Sequence, residues 1–491
     1  MPGLYIENFG CRAARADGEA IGNQLRALAA NSSPFVADQP SAADLVVVNT
    51  CSVTAEADRA ARAFIRRTHR TNPAAQIVVT GCYAQRAPEE LAAMPGVKAV
   101  IGNSHKALAP QIAFSLLQSS GQVFSGAHLA AGSLVQIGTA PSSLPANALE
   151  FRSIFAASAS APGTPTQVIW ADDRFAHSFL EEAHLLPGEQ TRPNLKIQEG
   201  CSNRCTFCVI PFTRGPSKSL PRAAVLRHVE QFVAAGGKEL VLSGINLGRW
   251  GRDSTGREPQ TLAGLVRSIL EQTSLSRLRL SSIEPMDWDD GLIGAMREFD
   301  GRLARHTHLP LQSGSDAVLR RMHRRYRPWH YAAKVEALLF AAGPDLTLGA
   351  DVMVGFPGET DREFEETLAF IGNLPFGYLH LFPFSPRPGT PGWAWHAESP
   401  VTPQIVAQRM AALRALAEEK TRAHRTRFIG RQLQAITLNT PAPLARRGLT
   451  AALTGNYLPV ELHGRFAANQ LITVRATGLR QSGELIALRT A

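Results

Sequence analysis

The segment at residues 195–208, LKIQEGCSNRCTFC, decides the architecture, because a strand-like apolar run leads directly into three closely spaced cysteines. Cys201, Cys205 and Cys208 supply three thiolates from one short loop. Thiolates hold iron–sulfur clusters, and a cubane held by only three leaves one iron open to bind another molecule. A structural zinc site needs a fourth ligand at finger-like spacing, but no cysteine follows and the next histidine is His228. The run therefore favours an iron–sulfur cluster over zinc or free buried thiols.

The strand-like run before these cysteines is the first of six that alternate with helix-like segments. The six are LKIQEG, ELVLSGI, RLRLSSIEP, RHTHLPLQS, LTLGADVMVGFP and YLHLFPFS. Six βα units predict an incomplete barrel of parallel strands over residues 192–427. Barrel enzymes carry their chemistry on loops at the C-terminal ends of the strands, so we expect the cysteine loop at the working face.

The other three cysteines each close a short apolar run near the N-terminus. LYIENFGC ends at Cys11, LVVVNTC at Cys51 and IVVTGC at Cys82, with helix-like segments between them. This pattern predicts an open parallel α/β domain over residues 1–120, whose ligands bind at the carboxyl ends of the strands. Any one of these cysteines could simply be buried, but three at equivalent strand ends favour a second three-cysteine site.

The composition predicts a globular cytoplasmic protein with an anionic partner. Of the 491 residues, 44% are apolar and 19% charged, and no run of about 18 apolar residues offers a membrane span. The start, MPGLYIENFG, lacks the features of a secretory signal. Six cysteines are too few for a disulfide scaffold, whereas a reducing compartment suits thiolate-held clusters. The net charge of +10 indicates the anionic partner.

Most of the excess charge lies in residues 426–491, and the short strand-like runs over 428–491 predict a small β-barrel. Residues 426–491 hold eight arginines and no lysine against Glu461 and Glu484, a net charge of +6. A small basic β-barrel suits nucleic-acid binding, which we favour over a merely solvated basic surface. The arginines predicted to contact RNA are Arg446, Arg447, Arg465, Arg475 and Arg480.

The regular alternation is lost between the first two domains. The stretch 138–167 is dense in Ala, Ser, Pro and Gly, and residues 121–191 are predicted to be a linker or insertion. The predicted fold class is α/β: an N-terminal open parallel α/β domain, a central partial (βα)6 barrel and a small C-terminal β-barrel.

With both cysteine sets, the barrel and the basic tail in place, the chain resembles the radical-SAM methylthiotransferases over nearly its whole length. NTCSVTAEAD and VTGCYAQR look like the family's second and third N-terminal cysteine motifs, and KIQEGCSNRCTFCVIPFTRG like its radical-SAM loop. HLPLQSGSDAVLRRMHRRY, DVMVGFPGET and FPFSPRPGTPG look like its later barrel motifs, and LTGNYLPVEL resembles its TRAM domain. LRLSSIEP and LSGINLGRWG look most like the branch that modifies N6-threonylcarbamoyladenosine (t6A) beside the tRNA anticodon.

The resemblance implies two 4Fe-4S clusters and S-adenosylmethionine (SAM) as cofactors. An auxiliary cluster carrying the sulfur to be donated would be held by the auxiliary cysteines, Cys11, Cys51 and Cys82. The cluster that cleaves SAM would be held by the loop cysteines, Cys201, Cys205 and Cys208. One SAM would methylate the sulfur, and a second would yield the radical that activates a C–H bond, which places a methylthio group on carbon 2 of adenine. The implied partners are the tRNA anticodon stem-loop, an electron donor such as flavodoxin or ferredoxin, and a sulfur donor.

No side-chain acid or base is predicted to be catalytic, because a base cannot remove a carbon-bound hydrogen that has no useful acidity. The residues expected to bind SAM are Phe207, Gly244, Glu284, Asp351 and Gly355. The two glycines would let the backbone approach a nucleoside, or else only make tight turns. The two carboxylates would bind the ribose or the SAM amine, or else serve as structural caps.

Two further features bear on the site. His306 and His308 share one face of a strand, but two histidines without a third ligand favour packing. Gln312 and Ser313 lie just beyond that strand, where they could face the substrate. The run RAAR at residues 12–15 departs from the family, which usually has a polar residue, often Asn, a few positions after the first cysteine. This puts in doubt a hydrogen bond from that loop to the auxiliary cluster.

Three other functions stay open at this point. The enzyme could modify another tRNA adenosine derivative, or an aspartate of a small-subunit ribosomal protein, although the basic tail favours RNA. A protein of a different class, an iron–sulfur RNA-binding or sensor protein, would use its iron only for structure. Incubation with SAM separates these classes, because a sensor would form no 5′-deoxyadenosine.

Overall fold

The computed structural model describes three units and covers residues 3–29, 35–118, 168–179, 191–255 and 260–490. The units are a parallel sheet, an open barrel and a closed barrel, in chain order. They match the predicted fold class. In the described part of the chain, no helix combines the length and apolar character needed to cross a bilayer.

The N-terminal unit is a six-stranded sheet. Its strands are β1 (Gly3–Asn8), β2 (Phe35–Val36), β3 (Leu45–Thr50), β4 (Gln76–Gly81), β5 (Val97–Gly102) and β6 (Val168–Trp170). They lie in the order β2-β1-β3-β4-β5-β6, with every pair parallel. The α-helices of this unit are Arg12–Leu28, Ala55–Thr71, Cys82–Arg86, Pro88–Ala92 and Ala109–Gln118, and its 3-10 helices are Pro40–Ala42 and Asn103–Leu108.

Both faces of this sheet are covered. All six residues of β3 are buried, as expected for a central strand between two layers of helices. Val46 and Val48 belong to one apolar cluster, whereas Leu45 and Val47 belong to another. Because successive side chains of a strand point to opposite faces, these are the cores on the two sides of the sheet.

Strand β6 lies inside the segment predicted to be a linker. Residues 168–170 pair in parallel with Ala99–Ile101 of β5, so this part of 121–191 extends the N-terminal sheet. Pairing of this kind depends on tertiary contacts, and a three-residue strand leaves little signal in the sequence. The prediction of a linker for 138–167 lies outside the described residues.

All six predicted barrel strands are present. The strands of this unit are β7 (Asn194–Glu199), β8 (Lys218–Ser219), β9 (Glu239–Gly244), β10 (Arg277–Leu280), β11 (His306–His308), β12 (Thr347–Val354) and β13 (Phe376–Pro383). They form a sheet β10-β9-β7-β8 and a sheet β11-β12-β13, linked by isolated parallel bridges such as that between Ser282 and His308. Only β8 is antiparallel to its neighbour in the described barrel, and the sequence analysis missed this two-residue strand.

Several helices of the barrel begin at capping residues. Thr360 and Glu363 form a reciprocal capping box, and the Thr402 side chain accepts a hydrogen bond from the backbone of Ile405. The α-helices of this unit are Ile210–Arg214, Arg222–Ala234, Leu262–Gln272, Asp290–Glu298, Asp316–Arg321, Pro328–Ala342, Asp361–Asn373, Pro391–Glu398 and Pro403–Thr426, and its 3-10 helices are Leu247–Arg249 and Pro285–Asp287.

The C-terminal unit is a closed five-stranded barrel, as predicted. Its strands are β14 (Gln432–Thr437), β15 (Leu449–Thr454), β16 (Pro459–His463), β17 (Leu471–Leu479) and β18 (Leu485–Arg489), closed in the order β14-β15-β16-β18-β17. Small and branched side chains fill the interior, among them Ala452, Val474 and Leu485. A five-residue helix, Ala442–Arg446, lies between β14 and β15.

The three units meet at Tyr457 of the C-terminal barrel. Its hydroxyl accepts a hydrogen bond of 2.8 Å from Arg12 of the N-terminal unit, and its ring lies 4.2 Å from that of His306. The guanidinium of Arg279 lies 5.3 Å from the centre of the same ring. His306 is buried here and hydrogen-bonds the Tyr378 hydroxyl at 2.8 Å, so the packing role predicted for it is confirmed.

Candidate active site: two cysteine sets on one cavity

The auxiliary cysteines follow three neighbouring strands of the N-terminal sheet. Cys51 and Cys82 come directly after β3 and β4, and Cys11 follows β1 by three residues. Because β1, β3 and β4 are adjacent and parallel, their carboxyl ends meet at one edge. Cys51 and Cys82 are buried and Cys11 is exposed. The predicted convergence of these strand ends is present.

A glycine lets the Cys11 loop pass close to Cys51. Gly10 has φ +108°, and a Cβ added there would lie 2.5 Å from the Cβ and 2.7 Å from the Sγ of Cys51. Any larger residue would displace this cysteine. Burial first, and then the neighbouring thiols of Cys82 and Cys11, raise the pKa of Cys51 to about 12. A thiol in this setting ionises when a metal takes its proton's place.

Two donors reach the sulfur of Cys82. Arg214 Nε donates to Cys82 Sγ at 3.2 Å and Asn103 Nδ2 donates at 3.4 Å. Arg214 comes from the short helix after the loop cysteines, so the barrel unit completes the surroundings of the auxiliary set. Hydrogen bonds to a sulfur are among the features that set the properties of a cluster bound to it.

The loop cysteines are held by backbone contacts at the end of β7. The Cys201 N–H donates to the Gly215 carbonyl at 3.0 Å, and the Cys208 N–H donates to the Cys205 carbonyl at 3.1 Å. The Asn203 N–H donates to Cys201 Sγ at 3.4 Å. Burial raises the pKa of Cys208 to about 12. The loop therefore presents three thiols at the C-terminal face of the barrel, as the sequence predicts.

Two side chains that the sequence analysis did not single out contact this set. Arg324 Nη1 donates to Cys205 Sγ at 3.4 Å, and its Nη2 donates to Glu284 Oε2 at 2.5 Å. Asn246 Nδ2 lies 3.6 Å from Cys201 Sγ. Burial disfavours the Arg324 charge, but Glu284, Tyr326 and Cys205 together more than offset this and raise the pKa of Arg324 well above its ordinary value. Arg324 lies in RRMHRRY and Asn246 lies in LSGINLGRWG. These two motifs are the signal in the sequence that could have identified both residues.

A cavity of about 610 Å³ joins the two cysteine sets. Its wall includes Cys11 of the auxiliary set and all three loop cysteines, so ligands held by both sets would face the same space. The wall is mixed in character, since Met353, Phe382 and Phe384 contribute apolar surface. The wall also contains polar residues, among them Asn203, Asn246, Ser281, Ser282, Gln312 and Arg324.

Four of the five residues predicted to bind SAM line this cavity: Phe207, Gly244, Glu284 and Asp351. Gly355 does not. It has φ +78°, and a Cβ added there would lie 2.6 Å from Val406 Cγ2 of the last barrel helix. The tight-turn interpretation therefore accounts for Gly355. Of the later pair, Gln312 lines the cavity, whereas Ser313 is fully buried and hydrogen-bonds Thr367.

His308 lies in a group of three potential metal ligands that the sequence analysis did not find. His308 ends β11, Asp351 lies within β12 and His380 lies within β13, and their ligand atoms all lie within 4.8 Å of one another. His308 Nε2 and His380 Nδ1 each lie 3.4 Å from Asp351 Oδ1. Ser282 Oγ contacts His308 Nδ1 at 2.6 Å, which directs the other ring nitrogen to the carboxylate. His308 is buried and stacks on Tyr378, as the predicted packing role requires, but it also has two potential ligands beside it, of which His380 lies 72 residues further along the chain.

The donor sets fit two iron–sulfur clusters. All six cysteines of the chain fall into two groups of three, and none is left over. Each group has a side chain that donates to one of its sulfurs, Arg214 for one and Arg324 for the other. Three thiols beside an open cavity leave room for a further ligand on each cluster.

The arginines predicted to bind RNA lie on the C-terminal barrel. Arg446, Arg465 and Arg475 are exposed. Arg447 is exposed too, although its Nη2 lies 3.3 Å from Glu461 Oε2, and Arg480 Nε lies 2.7 Å from the same oxygen. One carboxylate thus partly neutralises two of the five, which the sequence did not indicate.

Comparison with known families agrees with this architecture. Residues 195–371 match the Radical SAM superfamily, and residues 3–102 match a family described as uncharacterized protein family UPF0004. The first match begins at β7 and contains the loop cysteines. The second contains the auxiliary cysteines.

Relatives match over most of the chain. A threonylcarbamoyladenosine tRNA methylthiotransferase, MtaB, of Bacillus subtilis is 32% identical, covering 94% of this chain and 91% of its own length. A tRNA-2-methylthio-N(6)-dimethylallyladenosine synthase of Erythrobacter litoralis is 33% identical, covering 89% and 86%. This chain belongs to the radical-SAM methylthiotransferase family.

One solved structure shares the fold at low identity. The radical SAM methyltransferase TsrM of Kitasatospora setae, with its tryptophan substrate and a SAM analogue, is 15% identical with a TM-score of 0.52. The match covers 81% of this chain and 76% of that one.

Proposed function

We propose that this protein places a methylthio group on carbon 2 of t6A in tRNA by radical-SAM chemistry. The observation that carries the proposal is a cavity of about 610 Å³ that is lined by all three loop cysteines and by Cys11 of the auxiliary set. A single set would serve many radical reactions. Two sets facing one space suit a reaction that needs a radical and a sulfur at the same substrate atom, because positioning both reactants lowers the barrier.

The residues of the chain have separate tasks in this reaction. When bound, SAM and the two clusters supply a radical able to take hydrogen from an unactivated C–H bond and the sulfur that replaces it. The cysteines would hold the two clusters as thiolates. Arg324 fixes the Glu284 carboxylate at the cavity wall, so a polar contact is in place before a ligand arrives. Met353, Phe382 and Phe384 keep water from part of the cavity, which protects a reactive species.

The identity of the adenosine derivative rests on the relatives. The Bacillus subtilis enzyme covers more of both chains than the Erythrobacter litoralis enzyme, although their identities are 32% and 33%. The wider coverage, together with LRLSSIEP and LSGINLGRWG, supports t6A. The second candidate substrate is the dimethylallyladenosine of tRNA, because a relative with that name is equally similar.

The basic barrel is proposed to hold the tRNA anticodon stem-loop. Exposed arginines on this unit would contact phosphates, which position RNA without reading its sequence. The electron and sulfur donors remain predictions, with a flavodoxin or ferredoxin as the class of electron donor. Cytoplasmic location is proposed because tRNA and reduced thiolates occur there together.

Nucleoside analysis of a purified reaction tests the proposal. Reconstituted protein, reductant and SAM are incubated with tRNA carrying t6A or with tRNA carrying dimethylallyladenosine, and the nucleosides are analysed by mass spectrometry. We expect a 2-methylthio derivative of t6A only. Modification of the dimethylallyl substrate alone would select the second candidate, and absence of 5′-deoxyadenosine from every reaction would exclude radical-SAM chemistry.

A further inference from the structure

Five buried charged side chains lie between the auxiliary cysteines and the barrel. Asp17 and Lys106 come from the N-terminal unit, and Lys196, Glu199 and Arg214 come from the barrel unit. Their side chains are at most 4% exposed. Charges are seldom buried so completely unless each has a partner, so the contacts of this network define what it does.

The two carboxylates are each shared by several cations. Lys106 Nζ donates to Asp17 Oδ2 at 2.9 Å and to Glu199 Oε2 at 2.8 Å. Lys196 Nζ contacts Asp17 and donates to Glu199 Oε2 at 2.6 Å. Arg214 Nη1 donates to Glu199 Oε1 at 2.7 Å and to Asp17 Oδ2 at 3.1 Å.

The charges within the network do not balance. Three cations face two carboxylates, which leaves one positive charge in a buried place, where an unpaired charge is costly. The remaining contact of Arg214 is the 3.2 Å hydrogen bond from Nε to Cys82 Sγ. The network that carries the surplus charge therefore reaches a sulfur that would become a thiolate on binding iron.

One hydrogen-bond donor of the Arg214 guanidinium also lacks an acceptor in the part of the chain that the structure describes. Its Nη2 is buried and has no hydrogen-bond partner among the described residues. Buried donors in folded proteins nearly always have an acceptor. A group held by the auxiliary cysteines would bring acceptor sulfurs to this place, next to the one that Arg214 already contacts.

We propose that Arg214 is a positioning residue that raises the reduction potential of the auxiliary cluster. The inference rests on the proposed function, since it assumes a cluster on the auxiliary cysteines. A positive charge and hydrogen bonds at the sulfurs stabilise the more negative, reduced state of a cluster. Arg214 also lies six residues after Cys208. The chain segment that carries the loop cysteines would therefore also set the reduction potential of the auxiliary cluster.

The test removes the contact with sulfur and keeps the charge. In the double variant Arg214→Gln with Asp17→Asn, one cation and one anion are lost, so the surplus of one positive charge remains. The matched control is Arg387→Gln with Asp58→Asn, because Arg387 and Arg86 share the Asp58 carboxylate at 2.7 and 2.9 Å. That control also removes a buried ion pair between the units and keeps one surplus cation, but touches no cysteine.

Both clusters of each reconstituted protein are titrated with a chemical reductant and followed by electron paramagnetic resonance. Variants lacking the auxiliary or the loop cysteines assign the signals. We expect the auxiliary potential to become more negative in the Arg214 variant, with an altered spectrum, while the other potential and both potentials of the control stay unchanged. A wild-type auxiliary potential in the loaded Arg214 variant would overturn the inference.

Two further outcomes keep the test decisive. If the double variant does not fold, Arg214→Lys, which keeps the charge and cannot make all the same contacts, should still shift the auxiliary potential negatively, and an unchanged value there would count against the proposal. If wild-type protein binds only one cluster, the proposed function fails instead, before any variant is compared.

Discussion

The two cysteine sets reach the same cavity by different routes. The loop cysteines come from eight consecutive residues after one strand, and backbone hydrogen bonds within the loop fix them. The auxiliary cysteines are 71 residues apart at their extremes, and only the parallel pairing of β1, β3 and β4 brings them together. The first set is therefore a local feature and the second a property of the folded sheet.

Removing the loop cysteines or the auxiliary cysteines should separate SAM cleavage from sulfur transfer. This is the largest effect that we expect. Replacing the three loop cysteines by alanine should leave about half the iron and abolish SAM cleavage. Replacing the three auxiliary cysteines should leave about half the iron and retain SAM cleavage, but stop sulfur transfer. Iron analysis and 5′-deoxyadenosine formation measure both. Complete loss of iron from either folded variant would contradict the existence of two independent sites.

Substitution of Gly10 should disturb only the auxiliary cysteines. In Gly10→Ala the new Cβ would lie 2.5 Å from Cys51, so we expect loss of the auxiliary iron with SAM cleavage retained. Gly301→Ala is the control, since Gly301 also has a positive φ, of +79°, but no atom within 4 Å of an added Cβ. Equal iron contents in the two variants would show that the close approach at Gly10 does not matter.

Substitution of Arg324, beside the loop cysteines, should weaken SAM binding. Arg324→Gln removes the charged contacts with Glu284 and Cys205, and hydrogen bonds to charged groups contribute about 1.5–3 kcal/mol, or roughly tenfold to a hundredfold in affinity. The concentration of SAM at half-maximal cleavage should rise accordingly while the auxiliary iron stays. A normal SAM dependence would show that Arg324 only supports the loop.

The sequence predicts some parts of this site and not others, depending on whether neighbouring residues or the tertiary fold bring the groups together. The loop cysteines, the six barrel strands and the closed basic barrel are predictable because local patterns specify them, and the auxiliary cysteines are predictable because each follows a strand of one parallel sheet. Arg324, 119 residues after Cys205, and Arg214, 132 residues after Cys82, are not, since only the tertiary fold brings them to those sulfurs. Gly355 follows a barrel strand, where the sequence suggests a cofactor contact, but it lies outside the cavity wall and packs against Val406, so its contact with SAM stays a prediction.

The smallest effect should come from the basic barrel, away from both sets. Removing one arginine that binds a phosphate should flatten the slope of log affinity against log salt by about 0.7 to 0.9. Arg446→Ala should show the larger change, because Arg447 must exchange Glu461 for a phosphate. SAM cleavage without tRNA should stay unchanged, and Arg362→Ala, an exposed arginine of the barrel unit, is the control. A wild-type slope in the Arg446 and Arg447 double variant would exclude both from phosphate binding.

Isotope transfer from the substrate tests most directly whether the two sets act on one atom in one cavity. The wild-type enzyme is given tRNA whose t6A carries deuterium at carbon 2, and the released 5′-deoxyadenosine and the modified nucleoside are analysed by mass spectrometry. Deuterium should appear in 5′-deoxyadenosine in proportion to the methylthio product, which has lost it. A methylthio product formed without deuterium in 5′-deoxyadenosine would contradict the account.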